Sequence, residues 1–486
     1  MDNVLEYLER MAARSPDKTA IADKDCAYSF AALQSRARRL GFALMAQGVH
    51  GGAVGVFIDR SADALIYLLG VLYAGAYYIP LDPDMKPHKL QTILADAKPA
   101  ALVGAEAHRQ AAGAHTYLTL EALPSQEATR PACGGNDPAY MIYTSGSTGK
   151  PKGVLKSHGA IISFVEAFAA TFAIAAQDVL GNQTPFFFDA SAKDIYLMLC
   201  TGATLEVLPT ELFSFPVRLV QYMNQRRVSV ICWVPTALAI VTQLNTFLAV
   251  VPEALRRVFF VGEVFPMKQL RKWLAALPEV SFVNLYGSTE LAGICCYYEI
   301  PGAVEGSLPI GKPLPNCEVF LLDADGKFID TPGCLGEVCI ASPALALEYD
   351  HDPEKTARQF VTMQCPGGQK RVFRSGDLAQ YDESGNLIFS CRADFQIKHM
   401  GRRIELGEIE AAADSLPELE RCCCLYNEER HRITLFCTGT LDARQVQRAL
   451  KERLSDYMVP SKVIVMDALP LNANGKIDRV ALKALL

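Results

Sequence analysis

The stretch Tyr143-Thr-Ser-Gly-Ser-Thr-Gly-Lys-Pro-Lys-Gly153 closes the apolar run AYMIY at 139–143. Gly146, Gly149 and Gly153 let backbone N–H groups come close to an anion, Thr144, Ser145, Ser147 and Thr148 add hydroxyl donors, and Lys150 and Lys152 supply positive charge. A strand that runs into such a loop is suited to wrap a polyphosphate, which points to a nucleoside triphosphate. The loop is not a Walker A motif: Pro151 rather than Ser or Thr follows Lys150, and Thr144 rather than glycine stands six residues before it. Neither a GxGxxG fingerprint nor a GxSxG nucleophile elbow occurs.

Upstream of this loop, AVGVFI from Ala53, SADALIYLLGVLYA, YYIP, HKLQTILADA and ALVG alternate as strand and helix; downstream, VSVICW (228–233), RVFFVG (257–262) and SFVNLYG (281–287) continue as strands. Strands separated by helices of this length form right-handed βαβ units on a mainly parallel sheet. After about residue 315 the pattern changes to short strands with Asp-Gly and Ser-Gly turns, which read as antiparallel hairpins. Beyond Asp394, IELGEIEAAADSL and ARQVQRALKERL read as helices and RCCCLY, RITLFCTG and KVIVMD as strands. The expected fold class is α/β: a large N-terminal domain over 1–393, made of stacked α/β subdomains plus a small β-rich subdomain, and a small α+β C-terminal domain over 394–486.

The 486 residues are 50% hydrophobic and 21% charged, which assures a sizeable core and excludes a mostly disordered or fibrous chain. A formal charge of −6 without a Lys/Arg-rich run argues against a nucleic acid partner. Two uncharged stretches, Ala64 to Leu81 and Val228 to Pro252, are broken by Gly75 and Pro80 and by Ser229, Pro235 and Gln243, so both read as core elements and no membrane insertion is expected. Asp2, Glu6, Glu9 and Arg10 stand where a secretory leader would be apolar, and the expected location is cytoplasmic. The 15 cysteines, among them Cys295–Cys296 and Cys422–Cys423–Cys424, show no CxxC or Cys/His ligand spacing and read as buried reduced thiols.

Further motifs follow the loop in order: Asn284-Leu-Tyr-Gly-Ser-Thr-Glu290, Ser375-Gly-Asp-Leu378, Arg392-Ala-Asp394 and Asn474-Gly-Lys-Ile-Asp-Arg479. Together they resemble the adenylate-forming superfamily of acyl-CoA synthetases, luciferases and amino-acid adenylation domains, over nearly the whole chain. The resemblance implies that Thr144, Ser145, Gly146, Ser147, Thr148, Gly149 and Lys152 hold the phosphates of ATP. It implies further that Tyr286 packs on adenine, Asn284 bonds its amino group, Gly287 and Thr289 complete the nucleotide motif, and Glu290 helps hold Mg²⁺. A flat apolar ring and a hard oxygen ligand suit those two partners. Asp377, a carboxylate after a glycine turn, would grip the ribose hydroxyls and Arg392 would contact the same sugar. Asp394 would be the hinge of a mobile C-terminal domain; Cys391 stands where the family has glycine. Lys476 takes the place of the catalytic lysine, whose ammonium stabilises the charge that builds when a carboxylate attacks the α-phosphate. Gly401 matches the glycine that lets a pantetheine arm approach during thioester formation.

Phe188-Asp189-Ala190-Ser191 resembles the Phe-Asp-x-Ser of amino-acid-activating members, in which the aspartate pairs with the substrate's α-ammonium. Such a carboxylate suits that cation and not a fatty or aryl acid. The string FDASAKDIY and the segment VGEVFP (261–266) resemble the D-alanine:carrier protein ligases, so D-alanine or another small α-amino acid is the expected substrate, although Val261 stands where those ligases carry cysteine. By the same resemblance the pocket is lined by Ala190, Lys193, Cys232, Val261, Gly262, Leu285, Gly293 and Ile294. Lys193 leaves two readings open: it suits an acidic substrate side chain, or it pairs with Asp194 or Glu263 or points to solvent. No Leu-Gly-Gly-x-Ser attachment motif occurs, so the acceptor thiol is expected on a separate acyl or peptidyl carrier protein. Rival readings are a stand-alone amino-acid adenylation enzyme of a nonribosomal peptide pathway with another, possibly acidic, substrate, transfer to CoA or a free amine, an acyl-CoA-type ligase, and a nucleotide-binding regulator without catalysis.

Overall fold

The computed structural model describes residues 1–121, 123–144, 151–302, 308–392, 396–428, 430–471 and 477–486. Ser145, Gly146, Ser147, Thr148, Gly149, Asp394 and Lys476 lie outside the described residues. The chain divides into two units, one of Met1–Pro83, Ala97–Ile142 and Gly153–Cys391, the other of Asp84–Asp96, Tyr143–Lys152 and Arg392–Leu486.

The first unit carries a nine-stranded sheet whose middle is parallel: Thr19–Ala22, Thr204–Val207, Val179–Asn182, Val230–Trp233, Arg257–Val261 and Ser281–Gly287 lie side by side in that order. Antiparallel strands flank it, Ala27–Ser29 at one edge and Ile294–Glu299 with Lys312–Pro313 at the other. A seven-stranded sheet runs in the order Glu348–Tyr349, Lys152–Ser157, Pro138–Thr144, Tyr77–Leu81, Ala53–Phe57, Ala101–Val103, Tyr117–Leu118. The helix Ala64–Tyr73 is buried at every position, as expected of a segment apolar all round. No helix among the described residues is long and apolar enough to cross a membrane.

Local chemistry fixes the elements that carry the site. Strand Lys152–Ser157 passes directly into helix His158–Phe172, whose first turn is capped by Ser157 accepting from the Ala160 N–H at 3.2 Å. Helix Asp189–Thr201 ends at Gly202 in the left-handed region, φ 75°.

The β-rich part departs from the sequence expectation at one point. The segment around Ser375-Gly-Asp-Leu378 is not a turn: it lies inside one strand, Gly368–Tyr381, paired with Gly336–Ala341. The register breaks between the pairs Glu337↔Leu378 and Cys339↔Arg374, and Gly376 has φ 72°. Extra residues on one strand and a left-handed glycine make this a β-bulge, a device that re-aims a side chain without ending the strand. It turns Asp377 inward, where it is 3% exposed.

In the second unit the strands Gln396–His399 and Arg402–Glu405 form a hairpin. Its two-residue connection, Met400 at φ 52° and Gly401 at φ 74°, needs positive φ at both positions, the condition of a type I′ turn. A three-stranded sheet of Leu419–Asn427, Arg432–Gly439 and Lys462–Val465 packs with helices Leu406–Asp414 and Ala443–Arg453 around Ile404, Ile409, Leu435, Val446 and Leu450. Cys422, Cys423 and Cys424 sit in this sheet as buried free thiols. Arg479 reaches both carboxylate oxygens of Glu410 at 2.7 and 3.0 Å and the Cys424 carbonyl at 2.9 Å, tying the last helix to the sheet.

Candidate functional site

On the nucleotide side, strand Ser281–Gly287 delivers Asn284 and Tyr286, both buried. The Asn284 amide donates to the Pro309 carbonyl at 2.7 Å, which orients its own carbonyl as the acceptor that an adenine amino group would need. The Tyr286 hydroxyl donates to Asp377. Gly287 is required sterically: a Cβ there would stand 2.3 Å from the Gly293 carbonyl oxygen. Just beyond, the hydroxyl of Ser288 is buried with no hydrogen-bond partner among the described residues. In the second unit the Thr144 hydroxyl is in the same condition. Buried hydroxyls without a partner are costly and call for a water, an ion or a ligand oxygen. Lys152 is buried at the start of its strand, while Thr289 and Arg392 are part-buried. Glu290 is fully buried, and its Oε1 accepts from the Tyr349 hydroxyl at 2.8 Å.

The expected ammonium receptor, Asp189, opens helix Asp189–Thr201. Its Oδ1 takes the ammonium of Lys156, a fully buried lysine, and the Tyr140 hydroxyl at 3.1 Å. Burial pushes the Asp189 carboxyl above its ordinary range, and Lys156 pulls against that shift. Burial also lowers Lys156, whose charge Asp189 and Glu290 support.

Lys193 is buried and pairs with its neighbour Asp194, which also accepts from Asn182 at 3.0 Å. Of the two readings of Lys193, the structure shows the internal pair, with Asp194 and not Glu263 as its partner. Glu263 instead accepts from the Thr236 hydroxyl at 2.6 Å. Lys193 and Cys232 line a cavity of about 10 Å³ together with Phe168, Val230 and Phe259, room for one water molecule at most. Leu285 and Ile294 are buried, Val261 and Gly262 end and follow strand Arg257–Val261, and a Cβ on Gly293 would stand 2.3 Å from the Phe164 ring. Ala190 is exposed.

Residues 8–350 match the AMP-binding enzyme family and residues 408–476 match the AMP-binding enzyme C-terminal domain. The chain belongs to the AMP-binding enzyme family. It is 34% identical to the dimodular nonribosomal peptide synthase of Bacillus subtilis over 99% of its own length and 21% of that protein. With zwittermicin A synthase ZmaJ of Bacillus cereus it shares 30% identity over 99% of its length and 95% of the relative. The chain thus spans about a fifth of the dimodular relative and nearly all of the second. The fold is similar to that of holo-PA1221, described as an NRPS protein containing adenylation and PCP domains, at a TM-score of 0.89 and 25% identity, covering 100% of this chain and 84% of that one. The chain is thereby placed in the adenylate-forming superfamily, in its amino-acid-activating branch, and is similar to nonribosomal peptide synthetase proteins.

Four groups of this AMP-binding enzyme's site escaped the sequence reading: Tyr140, Lys156, Ser288 and Tyr349. For Lys156 a signal existed, a lysine inside GVLKSH where strand alternation continues an apolar run. Tyrosines in strands read as ordinary core and give no such sign.

Proposed function

We propose that the enzyme activates D-alanine or another small α-amino acid as the aminoacyl adenylate with release of pyrophosphate, then passes it to the phosphopantetheine thiol of a carrier protein acting in trans. The observation that carries this reading is Asp189, a carboxylate at the head of a helix beside the buried ammonium of Lys156, with 16% of its side chain still exposed. Its Oδ2 can accept a substrate ammonium, a partner that a fatty or aryl acid does not bring.

The described residues divide the work. Asn284 and Tyr286 take the base, Asp377 and Arg392 the ribose, and Thr144 and Lys152 the phosphates together with the loop at 145–149. Lys476 stabilises the charge of the carboxylate's attack on the α-phosphate. The mobile domain of residues 394–486, hinged at Asp394, then turns the face of Gly401 toward the incoming thiol. Among the described residues no group of three or more His, Cys, Asp or Glu could hold a metal ion. Mg²⁺ fits a different arrangement, one protein carboxylate with phosphate oxygens and water, and Glu290 offers such a carboxylate. Bound there with ATP, the ion would offset phosphate charge.

Loading of a holo-carrier tests the proposal. Purified enzyme, ATP, Mg²⁺ and D-alanine should add one aminoacyl group to the pantetheine arm of a holo-carrier, read by intact-protein mass, and none to the apo-carrier. Acylation of CoA but not of any holo-carrier would overturn the acceptor assignment.

A further inference from the structure

We infer that Lys156 is a specificity-determining residue of the acid pocket: it fixes Asp189 as an anion with Oδ1 occupied inside the protein and Oδ2 left for the substrate's ammonium. The inference rests on the amino-acid reading above and says how that selectivity is built.

Lys156 lies within strand Lys152–Ser157, where all six residues are buried, and the lysine itself is 0% exposed. An aromatic wall keeps it there. Its Nζ lies 5.2 Å from the centre of the Tyr140 ring, Tyr140 stacks on Tyr78 at 5.4 Å, and the Tyr78 and Tyr196 hydroxyls are 2.8 Å apart. Unlike a surface lysine, it cannot exchange Asp189 for water. Asp189 Oδ1 receives both Lys156 and Tyr140, whereas Oδ2 has no hydrogen-bond partner among the described residues.

The groups that face Asp189 are Lys156 and Tyr140 from adjacent strands, the Tyr78 hydroxyl behind them, and Glu290, which acts on Asp189 and Lys156 through its charge. Lys156 neutralises Asp189 from inside the protein through Oδ1 and leaves Oδ2 as an acceptor for a single ammonium. Without Lys156, the Asp189 carboxylate loses its counter-ion and is favoured as the neutral acid, and a neutral acid group would meet the substrate. The pocket would then lose its preference for an amine over a hydroxyl.

The test uses the full chain and pyrophosphate exchange between pH 6 and 8.5, with the best amino acid and its 2-hydroxy analogue. Lys156→Met should lower the amino-to-hydroxy ratio of kcat/KM at pH 7 by about tenfold or more, the scale of a charge-assisted hydrogen bond. Its kcat/KM for the amino acid should rise with pH as Asp189 ionises, a rise absent from the wild type. Tyr140→Phe should move the ratio in the same direction by less, and it carries the test if Lys156→Met does not fold, as judged by an ATP-dependent rise in Tm. An unchanged or higher ratio with an unchanged pH profile overturns the inference. A wild type that uses the hydroxy acid and not the amino acid overturns the amino-acid reading and the inference with it.

Discussion

The Tyr286 hydroxyl donates to the Asp377 carboxylate across 91 positions of sequence, so the proposed adenine platform and the proposed ribose clamp are held by one buried hydrogen bond. Burial, with the Asp377 charge next, drives the tyrosine's pKa well above its ordinary value, so it acts only as a donor. Tyr286→Phe keeps the flat face and removes the tether. The expected outcome is an ATP KM raised about tenfold with kcat little changed, and a larger rise in Asp377→Ala. Initial-rate kinetics at varied ATP check both.

The Lys193–Asp194 pair is internal, so its loss is read first as instability. Lys193→Met leaves Asp194 buried with only the Asn182 amide and should cost about 3–5 kcal/mol in urea unfolding. Lys193→Met combined with Asp194→Leu should recover most of that. Relative exchange rates for D-Ala and L-Glu should stay the same in the double variant. A selective loss of L-Glu would restore the reading in which Lys193 meets an acidic side chain.

Gly293 has the Phe164 ring against its α-carbon, and a methyl group there would meet it at 2.3 Å. Gly293→Ala should destabilise the fold by about 1–3 kcal/mol through overpacking. Phe164→Leu in the same chain should relieve part of it, measured as the midpoint of urea unfolding.

His158 is 2% exposed, its Nδ1 accepts from the Val4 N–H at 3.4 Å, and burial lowers its pKa from 6.5 to about 4. The unfolded chain therefore takes up this proton first as the pH falls. The stability that depends on the neutral ring is complete above pH 6.5 and is lost between 6.5 and 4, by about 3 kcal/mol. In His158→Gln the slope of unfolding free energy against pH over that window should flatten.

Much of the fold was legible because burial on both faces writes itself as unbroken apolar strands, as in AVGVF and RVFFV, with helices between them. The bulge at Gly376 was not, since a Ser-Gly-Asp string reads as a turn unless its pairing partner, Gly336–Ala341, is known. The turn at Met400–Gly401 was also hidden, because no Asn-Gly or Asp-Gly pair announces it. In the site, Asp189 was found through its motif, whereas its counter-ion came from a strand 33 positions earlier. Such a pairing is a property of sheet topology and not of local sequence.

The most direct measurement is amino-acid-dependent exchange of labelled pyrophosphate into ATP over D-Ala, L-Ala, Gly, L-Ser, L-Glu and simple fatty and aryl acids. The expected result is exchange with a small α-amino acid that collapses in Asp189→Ala and in Lys476→Ala. Exchange only with acids that lack an amine would contradict the account.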